Sequence, residues 1–117
     1  MFQQARSPKG TLHLRFSNHV NIVDARRLRA HLQNLREEGN TCFLVDLSQV
    51  QVVDAAVMGV LLFHAHKCAQ VGGYCQWVLP KSLQVREYLS QILSMKRLSF
   101  FENTRSAMGY LKTLPSA

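Results

Sequence analysis

Side chains able to do chemistry are few in this sequence and are not grouped. Of 117 residues, seven are Asp or Glu, five are His and three are Cys. Catalysis needs such groups in sets: paired carboxylates, Ser/His/Asp or Cys/His arrangements, or a glycine-rich phosphate loop. None of these patterns stands out, so the sequence offers no catalytic residue and no cofactor motif. His64 and His66 are two positions apart. On a helix that is about 200° around the axis, too far to chelate one metal ion. They read as packed or solvated histidines, and no metal site is expected. Cys42, Cys68 and Cys75 sit in apolar contexts without CxxC spacing, the pattern of reduced, mostly buried thiols. Two acids have marked positions. Asp46 closes an apolar run, and Asp54 is placed to cap a helix by accepting a backbone N–H from Ala56 or Val57.

The elements that would position these groups are legible from periodicity. Phe2 to Arg6 suits a first strand, and Ser-Pro-Lys-Gly at 7 to 10 its turn. Leu12, Leu14 and Phe16 alternate with His13 and Arg15, the period-2 pattern of a half-buried strand. From Asn21 to Glu38 the period becomes helical, with Ile22, Ala25, Leu28, Leu32 and Leu35 in one stripe and Gly39-Asn40 as the stop. Cys42 to Leu47 is continuous and apolar until Asp46, as in a central strand buried on both faces. A loop or short extended segment over 48–53 leads to a helix from Asp54 to about Gln70. Val71-Gly72-Gly73 ends that helix. Met58, Leu62 and Ala65 share one of its faces and Val57, Val60, Leu61, His64 and Cys68 another. Most of it therefore belongs in the core, with Val57 and Met58 the best candidates for an exposed apolar patch at the first turn. Tyr74 to Leu79 reads as a strand. Ser82 to Leu93 reads as a helix, with Leu83, Val85, Tyr88, Leu89 and Ile92 as its apolar set. Leu98 to Phe101 is a short last strand, and Thr104 caps a final helix ending near Pro115. This alternation predicts one α/β domain over 1–117, with a mixed, mostly parallel sheet of four to five strands and about four helices.

Composition narrows the class. Apolar residues make up 47% and charged residues 18%, which is ordinary for a globular protein. No run approaches the ~20 apolar residues of a membrane span. The N-terminus has no apolar signal core, so a cytoplasmic location is expected. The net charge of +7 would attract nucleic acid, anionic lipid or an acidic protein. It is spread along the chain and no nucleic-acid-binding motif accompanies it. Nucleic acid is therefore not the expected partner.

The segment from Phe43 to Gly73 resembles the signature of the STAS domain, the module of anti-sigma-factor antagonists. That signature is a hydrophobic strand ending in D-L, a short loop, then D-S-S/T-G-h-G opening a helix, where h is apolar. Asp46-Leu47, Asp54 and Gly59 match it, as do Gly72-Gly73, Leu79-Pro80, and Val85 and Leu89 downstream. Phe16 to Leu28 aligns without gaps with the family's strand, G-E-L-D loop and first helix. The resemblance implies a STAS-like fold, no enzymatic activity and no cofactor. It also implies a protein partner bound around Asp54, Ala55, Ala56, Val57 and Met58, with His19 and Asn21 from the loop. A homodimer would be compatible with it.

Two departures bear on function. The hydroxyl residues of the motif are Ala55 and Ala56 here, and Val57 replaces its glycine. Alanine has no oxygen nucleophile, so this position cannot be phosphorylated, and Ser48 is the nearest substitute. The G-E-L-D loop is Asn18-His19-Val20-Asn21, and helix positions often acidic in the family are Arg26 and Arg27. The partner surface thereby changes electrostatic sign. The resemblance thus leads to a regulatory interaction module whose binding is not gated by phosphate, with an anti-sigma factor or serine-kinase-like protein as partner. The run D-L-S-x-V-x-x-V-D, Asp46 to Asp54, is shared with STAS proteins that assist lipid-transport ATPases, and an accessory subunit of such a machine is the alternative.

Overall fold

The structure of the chain, a computed structural model, describes residues 2–7, 9–17, 19–20 and 22–114, the side chains of 19, 20, 22 and 23 excepted. Strands β1 (Phe2–Arg6) and β2 (Leu12–Phe16) form an antiparallel pair around the turn closed by Gly10 at φ 94°. Then come β3 (His19–Val20), α1 (Ile22–Glu37), β4 (Cys42–Asp46), β5 (Val52–Val53) and α2 (Ala55–Gln70). The chain continues through β6 (Tyr74–Val78), α3 (Leu83–Met95), β7 (Phe100–Phe101) and α4 (Thr104–Thr113). Five strands make one sheet in the order β1-β2-β4-β6-β7, parallel from β2 onward.

Each crossover from β2 to β7 moves one strand in the same direction. Right-handed connections then place α1, α2 and α3 on one face of the sheet. The core agrees: Leu28 and Leu32 of α1, Leu61 of α2, and Leu89 and Leu93 of α3 share a buried cluster with Phe16, Phe43 and Trp77. Leu44 and Val78, on the opposite pleat, pack against Ala107 and Leu111 of α4 in a second cluster. Strand β4 is buried on both sides, as its continuous apolar run predicts.

Helices α1, α2 and α3 all end in the same pair of backbone bonds. In each, one N–H reaches back five residues and its predecessor three, as in Asn40 to Leu35 (3.1 Å) with Gly39 to Arg36 (2.9 Å). This ending needs one residue in the left-handed region. Gly39 (φ 99°) and Gly72 (φ 80°) supply it, but α3 uses Arg97 at φ 58°. A Cβ there strains the backbone by ~1 kcal/mol. Arg97→Gly is expected to raise Tm by a few degrees; an unchanged or lower Tm in a thermal scan would contradict this. Gly73 is fixed for another reason, since a Cβ would overlap the Thr41 carbonyl.

The loop or short extended segment read over 48–53 holds β5, which pairs in parallel with β3 (His19↔Val52, Val20↔Val53) as a second, two-stranded sheet. Several expectations are corrected. Val57 and Met58 are buried, not exposed, at 1% and 5%. Helix α2 packs beside α1 on the same face of the sheet, and Leu47 and Val50 of the preceding loop join the same cluster. In α3, Leu83 and Tyr88 face outward instead. The cap of α4 is Asn103, whose side chain accepts from Ser106 N–H at 2.8 Å, not Thr104. The last strand is only Phe100–Phe101, and Pro115 lies outside the described residues.

Candidate functional site

The start of α2 stands where the carboxyl end of β4 delivers the chain. Asp54 is extended (φ −74°, ψ 141°) and its Oδ1 accepts the Ala56 N–H at 2.8 Å, capping the helix as expected. Ala55 and Gly59, one turn apart, are exposed, and Ala56 is half-buried. A Cβ at Gly59 would meet nothing within 4 Å, so this surface is both small and open. Val52, 64% exposed, adds an apolar side chain beside it. The β3–β5 pairing brings the backbone of His19 next to Val52, two residues before Asp54. Of the seven expected partner residues, Asp54, Ala55 and Ala56 are thus at the surface and Val57 and Met58 are beneath it. Only the backbone of His19 is described, and Asn21 lies outside the described residues. Arg26, Arg27 and Arg29 are exposed on α1, which packs against α2. An open cleft of about 740 Å³ runs along residues 48–51 to Lys81 and Ser82.

On the other face of the sheet, at the start of α4, is a polar centre not foreseen from the sequence. Asp46 is fully buried. Its Oδ2 accepts from His13 Nε2 at 2.9 Å and Thr104 Oγ1 at 3.1 Å, with Arg15 Nε 3.5 Å away, while Oδ1 accepts the Ser48 N–H at 2.9 Å. Burial works to raise the Asp46 pKa. The His13 bond, the Ser48 bonds and the nearby imidazole outweigh it and hold the carboxyl well below the usual carboxylate range. Ser48 Oγ lies 3.3 Å from Thr104 Oγ1, whose one proton goes to Asp46, so the serine hydroxyl is the donor of that pair. Ser48 is therefore tied into this network, and a phosphate on it would stand beside the Asp46 charge. The signal was an acid ending the central apolar strand and the His13/Arg15 face of the neighbouring one. Register is what joins them, because Arg15 pairs with Asp46 across β2 and β4.

The buried imidazole and thiols are structural. His64 is fully buried, edge-on to Phe43 at 4.3 Å. Its Nδ1 accepts from Arg36 Nη1 at 2.5 Å, which leaves the proton on Nε2, 3.6 Å from Cys68 Sγ. Burial, then the Arg36 charge, push its pKa down to about 3. Burial pushes the Cys68 thiol up to about 11 and Cys75 well above its ordinary value, so both stay protonated and inert. All three cysteines are free, and His66 is exposed and bonded to Gln70.

The family model of the STAS domain matches residues 3–107, nearly the whole chain. The chain belongs to the STAS domain family. No curated protein matches it by sequence. Solved structures similar to this STAS domain include the anti-sigma factor antagonist SpoIIAA in its unphosphorylated form, at 14% identity and TM-score 0.80, covering 97% of this chain and 100% of that one. The phosphorylated form of the Bacillus cell-fate determinant SpoIIAA gives 14% identity and TM-score 0.77, covering 95% and 99%. A Thermotoga maritima protein proposed to be an anti-sigma factor antagonist gives 18% and 0.79, covering 95% and 94%. At such identities the likeness establishes the STAS fold. Among the described residues, no helix of this domain is long and apolar enough to cross a membrane.

Proposed function

We propose that this STAS domain is a non-enzymatic regulatory module that binds a protein partner at the start of α2, with no phosphate switch there. The observation carrying this reading is the first turn of α2, which is exposed at Ala55 and Gly59 and has no hydroxyl from Asp54 to Gly59. SpoIIAA has been solved with and without phosphate. In this chain the corresponding turn has no hydroxyl to accept one. Its small side chains let a partner backbone approach closely, and Val52 offers an apolar contact. Arg26, Arg27 and Arg29 on α1 and Lys81 on the cleft favour an acidic partner surface.

An anti-sigma factor or serine-kinase-like protein is the partner class the family likeness supports. The second reading, an accessory subunit of a lipid-transport ATPase assembly, is supported by the Asp46–Asp54 run together with the missing hydroxyl. Capture of partners from the native cell on immobilised protein, followed by mass spectrometry, separates the two. Ala55→Arg places a bulky cation on the open turn without touching the core. It is expected to weaken the captured complex about tenfold or more. Binding unaffected by Ala55→Arg, or capture of no protein at all, would refute the proposal.

A further inference from the structure

A second surface lies roughly two turns further along α2. There the outer side of α2 and the α3–β7 connection enclose a groove of about 340 Å³. Its apolar lining is Leu62, Phe63, Ala65, Ala69 and Leu98, and its polar rim is His66 and Lys96. Phe63 is 50% exposed, a large aromatic left open on the outward face of α2, whose other exposed residues are small or polar. The Lys67 ammonium lies over its ring, 5.3 Å from the centroid. Among the residues lining the groove there is no carboxylate, and among the described residues Lys96 makes no ion pair.

An apolar cleft with one ammonium on its rim, Lys96, and a second, Lys67, over its aromatic wall selects an occupant by charge as well as by shape. We infer that this groove docks an acidic peptide segment of a partner protein. The segment's apolar side chains seat against Phe63 and Leu98, and its carboxylates pair with Lys96 and Lys67. A second copy of this chain is a poor occupant, because each copy carries a net charge of +7 and like charges repel on approach. A flat anionic membrane would meet the ammonium groups but would leave the cleft between the helices unfilled. No residue lining the groove belongs to the first turn of α2, so loss of binding in Phe63→Ala or Lys96→Glu reports on the groove, and loss in Ala55→Arg on the first turn.

The test uses the whole chain and a labelled amphipathic peptide with leucines three and four residues apart and glutamate elsewhere. A lysine-for-glutamate counterpart serves as control. Fluorescence anisotropy should show the glutamate peptide binding and the lysine peptide not binding. Backbone amide resonances should shift around Leu62, Phe63, Lys96 and Leu98. Phe63→Ala and Lys96→Glu are each expected to weaken binding about tenfold. Both sites are at the surface, and Lys96→Glu, which removes no apolar packing, keeps the test valid if Phe63→Ala disturbs folding. The inference is overturned by absence of binding at about 1 mM protein, equal binding of both peptides, or shifts mapping elsewhere. It is also overturned if phosphatidylglycerol vesicles bind in place of the peptide, or if self-association occludes Phe63.

Discussion

Asp46→Ala is expected to lower folding stability by about 3 kcal/mol, a large share of the ~5–15 kcal/mol that holds a domain of this size together. The carboxylate is fully buried and accepts bonds from His13, Thr104 and the Ser48 backbone. Removing it strands three donors, each costing ~1 kcal/mol or more where water cannot replace the partner. Arg15 adds little, because it is 39% exposed and its pair is screened. Asp46→Asn keeps an oxygen for the Ser48 N–H but turns an amide toward His13 and Thr104, so its cost should fall between wild type and alanine. Urea unfolding with a common m-value checks both, and a loss under about 1 kcal/mol for the alanine variant would contradict the account. The effect should reach the binding surface too. Asp46 anchors the loop that carries Val52 to the Asp54 cap, so loosening it should weaken partner capture even where the fold survives.

Acid should destabilise this protein well before ordinary carboxylates titrate. His64 is held neutral in the fold, with its pKa near 3 because of burial and the Arg36 guanidinium. In the unfolded chain the same imidazole takes up a proton near its ordinary value of about 6.5. Between those two values the unfolded state binds the extra proton, so unfolding free energy rises with pH. Stability is thus lost as pH falls from about 6.5 towards 3, by up to ~1.4 kcal/mol per pH unit. Below about 4 a second loss begins. The unfolded Asp46 carboxyl protonates there, while the folded one, depressed by its hydrogen bonds, resists. Stability measured from pH 7.5 to 4.5 should slope accordingly. His64→Gln should flatten that slope while lowering the plateau through lost packing against Phe43. An identical slope in the variant would exclude His64 as the source.

Much of the architecture is a local property of the chain, and so was legible in it. The stripe of Leu28, Leu32 and Leu35, the alternation of Leu12, Leu14 and Phe16, and the unbroken run into Asp46 each specify an element by its own periodicity. The Asp54 cap and the Gly39 and Gly72 stops depend on backbone conformation within a few residues. Misplaced elements failed where the deciding partner is distant in sequence. Thr104 has the right chemistry for a cap, yet Asn103 caps α4 because the Thr104 hydroxyl is engaged by Asp46, 58 residues earlier. Tyr88 and Leu83 fit a helical apolar pattern, but the core takes in Leu89, Leu93 and part of Val85.

The first turn of α2 shows the same division. That it begins at Asp54, carries no hydroxyl and so cannot accept a phosphate follows from residue identity alone. Which of its side chains a partner meets is settled by what packs around the helix. Val57 and Met58 are apolar and are buried by α1, the sheet and the loop residues Leu47 and Val50, leaving Ala55 and Gly59 outside. Hydrophobic periodicity says that a helix has apolar sides, and only the neighbours brought by long-range register decide which sides are covered.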